Sequence, residues 1–259
     1  MSIKILEKIF SVKNSADKLH KVITIIGLKI KLKKIYKKNY SLNSGERQTG
    51  KTIHEIRADH VNRYKLAAEI IKREIKMNSI LKGMDIFCGN GYGSWLINNK
   101  TGAFIDSIDG SKEAVEFAKK YYGNNKINYS CKLFPFKMKK NYYDFIISLE
   151  SVEHIKDDIL FLNRLYNALK LNGLLIISTP NMEKQDLKLN PNHFHYRHYY
   201  NNEFIKLVHE IGFEFIELYG QDTYIFNENK IMCGMLPSED MNIKKDYNGQ
   251  FTVYILKKR

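Results

Sequence analysis

The chain has 259 residues, 44% of them hydrophobic, which is enough apolar material for one substantial core and excludes a disordered polymer. Its net charge of +14 invites a nucleic-acid reading, but residues 1–45 carry eleven lysines against Glu7 and Asp17 and hold no arginine, so most of the excess is a basic N-terminal surface and no nucleic-acid partner is expected. Three scattered cysteines (Cys88, Cys131 and Cys233) exclude a disulfide framework and suit a reducing cytosol, and no apolar run has the length of a membrane span or a signal peptide.

Residues 1–44 read as a basic appendage, and residues 45–259 as the main domain. Ile3–Phe10 suits a short helix. Lys21–Lys34 (KVITIIGLKIKLKK) alternates apolar and basic residues after Gly27, the pattern of a hairpin with one oily and one cationic face. Such a face attaches to an acidic membrane surface or to a partner, or packs on the main domain with its lysines in water. The expected location is therefore the cytoplasm, with peripheral contact at the inner membrane face as the open alternative.

Gly45–Thr52 (GERQTGKT) satisfies the GxxxxGK[ST] pattern of a phosphate-cradling loop. That loop needs a buried strand before it to aim its amides, and KKIYKKNYSLNS is too polar to be one. Ile53–Met77 has the periodicity of an amphipathic helix, with His60, Arg63 and Tyr64 on one side.

Met84–Phe87 then reads as a buried strand that turns through Cys88-Gly89-Asn90-Gly91-Tyr92-Gly93 into a helix. A glycine turn between strand and helix presents backbone N–H groups and a positive helix end to a ligand. A second strand, Ala103–Ile108, ends in Asp109-Gly110-Ser111. An acid there, about 20 residues past the glycine loop, suits the paired hydroxyls of a ribose. Ser111 can cap the helix that follows. Further strands fall near 127–131, 143–148 and 174–179, with helices near 111–122 and 157–170 and late strands over Phe213–Leu218 and Phe251–Leu256. This alternation predicts an α/β fold, a mostly parallel sheet with helices on both faces. Its ligands belong at the carboxyl ends of the strands.

The spacing DxxCGxGxG from Asp85 resembles motif I of the class I S-adenosylmethionine-dependent methyltransferases. Leu133-Phe134-Pro135-Phe136, Tyr143–Ile155 (YDFIISLESVEHI) and Leu174–Asn181 (LLIISTPN) agree with it. Together they resemble ubiquinone-biosynthesis and small-molecule or sugar O-methyltransferases, over roughly residues 45–221. The resemblance implies a Rossmann-like, seven-stranded sheet, S-adenosylmethionine as cofactor and S-adenosylhomocysteine as product. It implies cofactor contacts from Asp85, Cys88, Gly89, Gly91, Tyr92, Asp109 and Gly110, from Cys131, Lys132 and Leu133 beside the adenine, and from Ser148 and Glu150 beside the methionine part. In similar enzymes the first helix covers the cofactor, which adds Tyr64.

For catalysis the candidates are His154, His195 and His193, because an imidazole titrates near neutrality and can take a hydroxyl proton as the oxygen attacks the methyl group. Arg47, Lys51, Asn181 and Arg197 are candidates for the acceptor. HxHxxH over His193–His198 has no Cys or acid at supporting spacing, so no metal is expected. The basic N-terminal stretch resembles short leaders on bacterial capsule-biosynthesis enzymes. The expected reaction is methyl transfer to an oxygen of a small polar acceptor, a nucleotide-linked or phosphorylated sugar of a capsular polysaccharide. A phosphoramidate or phosphate group, an RNA, and a P-loop nucleotide-binding protein are the rivals left open.

Overall fold

The structure is a computed structural model that describes residues 10–14, 20–25, 28–33, 47–76 and 80–259. The chain divides into two compact units, residues 1–39 and residues 40–259. In the first unit β1 (Phe10–Asn14), β2 (His20–Ile25) and β3 (Leu28–Lys33) form an antiparallel three-stranded sheet, with Ile25 paired to Leu28 at the β2–β3 end. The helix expected over Ile3–Phe10 lies outside the described residues except for Phe10, which opens β1.

The second unit is built on one eight-stranded sheet. Its strands are β4 (Lys82–Ile86), β5 (Phe104–Asp109), β6 (Ile127–Cys131), β7 (Tyr143–Ser148), β8 (Leu169–Pro180), β9 (Phe213–Gln221), β12 (Ile243–Lys245) and β13 (Phe251–Lys258), in the order β12-β9-β13-β8-β7-β4-β5-β6. Strands β4 to β8 pair parallel, and β13 runs antiparallel between β8 and β9. The expected seven-stranded sheet is present, and the three-residue β12 adds an eighth strand at its edge by pairing antiparallel with β9. The stretch 221–250, which has no periodicity in the sequence, also holds a hairpin of β10 (Tyr224–Phe226) and β11 (Met232–Met235).

The central strands are apolar on both sides because both sides are covered. Phe145 and Ile147 of β7, Leu174 and Ile176 of β8, and Val253 and Ile255 of β13 face one core. That core contains α1 (Ala58–Glu74), α2 (Tyr92–Thr101) and α3 (Lys112–Tyr122). The alternate residues Ile146, Leu175, Ile177, Tyr254 and Leu256 face a second core with α4 (Asp158–Ala168) and α5 (Asn201–Ile211). Each fully buried aliphatic side chain contributes about 1.5–3 kcal/mol, so a one-residue register slip in any of these strands would exchange the two cores at large cost. Strand order reverses at β4, where β5 and β6 lie to one side and β7 and β8 to the other. Such a switch point leaves a crevice at the carboxyl ends. Among the described residues, no helix is long and apolar enough to cross a membrane.

Candidate active site

The crevice begins where β4 becomes α2. Gly91 is the N-cap of α2 and has φ +89°, a left-handed conformation that glycine adopts without strain. A Cβ on it would lie 2.6 Å from Ala118 Cβ, and a Cβ on Gly93 would lie 2.1 Å from the Tyr64 ring. Both glycines therefore let α2 settle onto α1 and α3. No side chain caps α2, so its first N–H groups remain available at the crevice. Below the turn Asp85 is buried, accepts a hydrogen bond from Ser94 Oγ at 2.6 Å, and lies 3.2 Å from the Tyr64 hydroxyl. Burial pushes its carboxyl up to about 7 against the opposing effect of those hydrogen bonds.

That shift has a definite sign. A carboxyl with an ordinary value near 3.8 that rises to about 7 on folding binds more protons folded than unfolded between those values. Its contribution to stability is full below about pH 3.8 and is lost as pH rises to about 7. Asp85→Asn is therefore expected to flatten the fall in the urea midpoint between pH 4 and 7, relative to the unaltered chain. Parallel profiles for the two proteins would rule this out.

At the tip of β5, Asp109 is buried and almost fully engaged. Its Oδ2 accepts the Gly89 N–H at 3.0 Å, and its Oδ1 accepts the Ser111 N–H at 2.8 Å and an Arg47 Nη2–H at 2.9 Å. The α3 cap is Ser111, whose Oγ accepts from the Ala114 N–H. Asp109 is thus not consumed as the cap. Beyond it, the Lys132 N–H donates to the Asp109 carbonyl, Cys131 Sγ lies 3.6 Å from the Gly110 carbonyl, and Leu133 is exposed. On the other side of β4, at the end of β7, Ser148 and Ser151 share a 2.7 Å hydrogen bond. Glu150 takes φ +48° and accepts from Ser178 Oγ at 2.6 Å. Phe87, at the end of β4, has φ +62°. Two non-glycine residues in this sparsely populated region flank the same crevice, each at a cost of about 1–3 kcal/mol.

Two cavities meet here. One is lined by Arg47, Tyr64, Phe87, Cys88, Gly89 and Tyr92, among others. The second, of about 580 Å³, is lined by Glu153, His154, His193, His195 and His198 and rimmed by Leu189, Ile231 and Met232. Gln48, His60, Arg63 and Glu150 line both.

Arg63 is the centre of this shared wall. It is buried, with its Nε–H donating to Gln221 Oε1 at 2.7 Å and Nη2–H to Asp59 Oδ2 at 3.0 Å. Its Nη1 lies 3.7 Å from Glu150 Oε1, and its guanidinium lies 4.4 Å from the centre of the Phe251 ring. Asp59 also takes two hydrogen bonds from Arg57. Burial would raise its carboxyl, but the Arg57 hydrogen bonds and the charge of Arg63 outweigh that and hold it far below the usual range. His60 is pushed down to about 3, by burial first and then by Arg63, so it stands neutral at physiological pH.

In the second cavity the hydrogen-bond partners assign the histidine tautomers. His198 Nδ1 faces the Gln185 carbonyl at 2.5 Å and must carry a proton. The neutral ring then accepts at Nε2 from His195 Nδ1–H, 2.7 Å away, and His195 Nε2 accepts from Asn192 Nδ2. Burial lowers the pKa of His198, which favours that neutral form. His154 Nδ1 donates to the Phe194 carbonyl at 3.1 Å, so its basic nitrogen is Nε2, which lies 3.8 Å from Glu153 Oε1. The His154 and His195 rings meet edge to face at 4.7 Å. Glu153, His154 and His195 each place a ligand-type atom within 4.8 Å of the others, but the hydrogen bonds to His198 and Asn192 occupy both nitrogens of His195.

The structure thus gathers Tyr64, Cys88, Gly89, Tyr92, Glu150 and Arg47 around one cavity, with Asp109 just behind its wall through Arg47 and Gly89, and His154, His193 and His195 around the next. Lys51, Asn181 and Arg197 line neither. Lys51 is exposed with its Nζ 5.8 Å from the centre of the Tyr121 ring; Asn181 donates to Asn248 and to the Gly249 carbonyl; Arg197 pairs with Asp158 at 2.9 Å. After Thr52 the chain makes only a three-residue turn, Ile53–Glu55, and α1 starts at Ala58, so no helix N-terminus follows the GKT triplet as a P-loop requires. Sequence reasoning missed Gln48, Phe87, Leu149 and the Arg63 network as parts of the site. The one signal was the shared side of His60, Arg63 and Tyr64.

A mostly parallel sheet with a switch point, a glycine turn and an acid at the tip of the next strand defines a Rossmann-like cofactor-binding class. The chain belongs to the methyltransferase domain family, whose model matches residues 77–230, and as a class I member it takes S-adenosylmethionine as cofactor. The chain is similar to the ubiquinone biosynthesis O-methyltransferase of Pelagibacter ubique, 35% identical over 103 residues (39% of this chain and 42% of that one). It is also similar to that of Rickettsia typhi, 32% identical over 131 residues (50% and 52%). It spans about half the length of these curated relatives. Among solved structures, YcgJ of Bacillus subtilis superimposes with a TM-score of 0.58 at 13% identity, over 77% of this chain and 99% of that one. A Thermotoga maritima S-adenosylmethionine-dependent methyltransferase gives 0.52 at 19%, over 78% and 92%. These two share the fold.

The residues at and directly behind the first cavity fit the cofactor. Asp109 presents a buried carboxylate at the tip of β5, and a Cβ on Gly89 would find nothing within 4 Å, so the chain there can be approached closely.

Proposed function

We propose that the chain transfers the methyl group of S-adenosylmethionine to an oxygen of a small polar acceptor, with residues 45–259 as the catalytic domain. The observation that carries this reading is the pair of cavities with a common wall of Gln48, His60, Arg63 and Glu150. Asp109 takes the ribose hydroxyls; the Gly89–Tyr92 turn approaches the nucleoside; Cys131–Leu133 border the adenine; Arg63 and Tyr64 face the methionine part. When bound, the cofactor supplies an electrophilic methyl group on a sulfonium.

The chain's own work is then to align an acceptor hydroxyl and to receive its proton. His154 is the base, through Nε2, because its Nδ1 proton is committed to the Phe194 carbonyl. Both nitrogens of His195 are engaged, with Asn192 and with His198, so His195 is a positioning residue that packs the His154 ring.

The polar lining, with Arg57, Arg63 and five histidines against Glu150 and Glu153, supports an anionic or hydroxyl-rich acceptor. We take this to be a nucleotide-linked or phosphorylated sugar, and the capsule assignment rests on the resemblance of residues 1–44 to capsule-enzyme leaders. A second reading, a phenolic hydroxyl as in the named relatives, is favoured by the apolar rim of Leu189, Ile231 and Met232.

The first test is calorimetric titration with S-adenosylhomocysteine. Asp109→Ala removes two charge-assisted hydrogen bonds and is expected to weaken binding at least about 100-fold. Wild-type affinity in that variant would end the ribose assignment. Turnover over nucleotide sugars, sugar phosphates and catechols then separates the two acceptor readings.

A further inference from the structure

Asp109 is the residue that the proposed function gives to the ribose, and it is already taken. A carboxylate has about four acceptor positions. The Gly89 N–H, the Ser111 N–H and Arg47 Nη2–H fill three of them. One position remains, and a ribose offers two vicinal hydroxyls. The two amides belong to the glycine turn and to the start of α3, and cannot leave without undoing the fold. Arg47 is the donor that can leave.

The surroundings agree. The cavity that Arg47 lines measures about 70 Å³, well below the roughly 300 Å³ at which small-molecule pockets begin. Arg47 lies in an irregular segment held a few residues on by Gly50, whose carbonyl accepts from the Tyr122 hydroxyl at 2.8 Å and from Asn90 Nδ2 at 3.3 Å. The segment is fixed at Gly50 and latched at Arg47, and Gln48 between them lines both cavities.

We propose that Arg47 is an internal competitor of the cofactor: its ion pair with Asp109 holds the ribose position, and it must be displaced before S-adenosylmethionine binds. This inference rests on the ribose role of Asp109. It gives Arg47 a task different from the acceptor contact expected from its sequence position. Because only the unlatched fraction is competent, the apparent affinity is reduced by that fraction.

The test is S-adenosylhomocysteine binding by calorimetry and by stopped-flow association, using Arg47→Ala and the similarly sized, uncharged Arg47→Gln. Both variants keep the two backbone donors on Asp109. Both are expected to bind about fivefold more tightly, with a faster association rate, as removal of a partly exposed ion pair allows. In the unaltered chain, raising salt from 50 to 500 mM (values of about this size span the screening range) should strengthen binding, because it screens the latch. In the variants that dependence should vanish. Unchanged or weaker binding by correctly folded Arg47→Ala and Arg47→Gln would overturn the proposal. Asp109→Asn distinguishes the two levels: if it binds like the unaltered chain, the ribose reading has failed; if it does not bind and the Arg47 variants bind no better, the latch alone has failed.

Discussion

His154→Ala is expected to lower the methyl-transfer rate by about 10²–10⁴-fold, the usual contribution of a positioned general base. S-adenosylhomocysteine affinity should be unchanged, because His154 lines the histidine-rich cavity and is not part of the lining that contains Gly89 and Tyr92. The pH–rate profile should also lose its acidic limb, since protonation of Nε2 is what silences the base at low pH. His195→Ala is expected to cost less. Its ring sits edge to face on His154 and is tied to His198 through Nδ1, so its loss loosens the base without removing it. The measurement is product release in single turnover across pH 5–9 (a span of about this width brackets an imidazole). A full rate in His154→Ala, with the acidic limb intact, would move the base elsewhere.

The second large effect is on stability. Arg63→Met keeps an unbranched apolar stem but strands the groups that face the guanidinium. Gln221 loses the donor at 2.7 Å, Asp59 loses one of its cationic partners, and Glu150 loses the nearby charge at 3.7 Å. Removing one partner of a buried ion pair costs about 3–5 kcal/mol. Arg57 remains on Asp59, so the lower end, about 3 kcal/mol, is expected in urea unfolding. Arg63→Lys should rescue little, because an ammonium cannot reproduce the fork that serves Gln221 and Asp59 together. A midpoint within about 0.5 kcal/mol of the unaltered protein would show that the network is energetically idle.

The parts of the site that were legible in the sequence are local. The turn from β4 into α2, and Asp109 some twenty residues on, are short-range consequences of strand, glycine and helix chemistry. The continuous apolar runs of β7 and β8 announce strands covered on both faces. What was not legible is long-range. Arg63 lies in a stretch that reads as an amphipathic helix with His60 and Tyr64 on the same side, and only the fold brings Gln221 and Phe251 against it. His154 and His195 are separated by a whole strand and helix, so no spacing rule places their rings together. Arg47 reads as a loop residue, and its pairing with Asp109 depends on where the glycine turn sets β5. Lys51, Asn181 and Arg197 have the right chemistry for an acceptor but are held by other partners, an outcome that side-chain type alone does not reveal. The edge strand β12 came from a polar stretch because three residues suffice to pair with β9.

Strand β13 has a consequence for synthesis. It is inserted between β8 and β9, its Phe251 ring lies against Arg63, and Thr252 and Tyr254 both donate to Asn201 at the head of α5. Yet it is the last of the eight strands in chain order. On a ribosome, β4 to β8 can pair as they emerge, while β9, with only the three-residue β12 as an earlier partner, waits beside a gap that a later segment fills. A chain stalled before Phe251 would expose the apolar edges of both β8 and β9. It would be a substrate for chaperones and proteases rather than a partly active enzyme, so the cell obtains a complete methyl-transfer site or none.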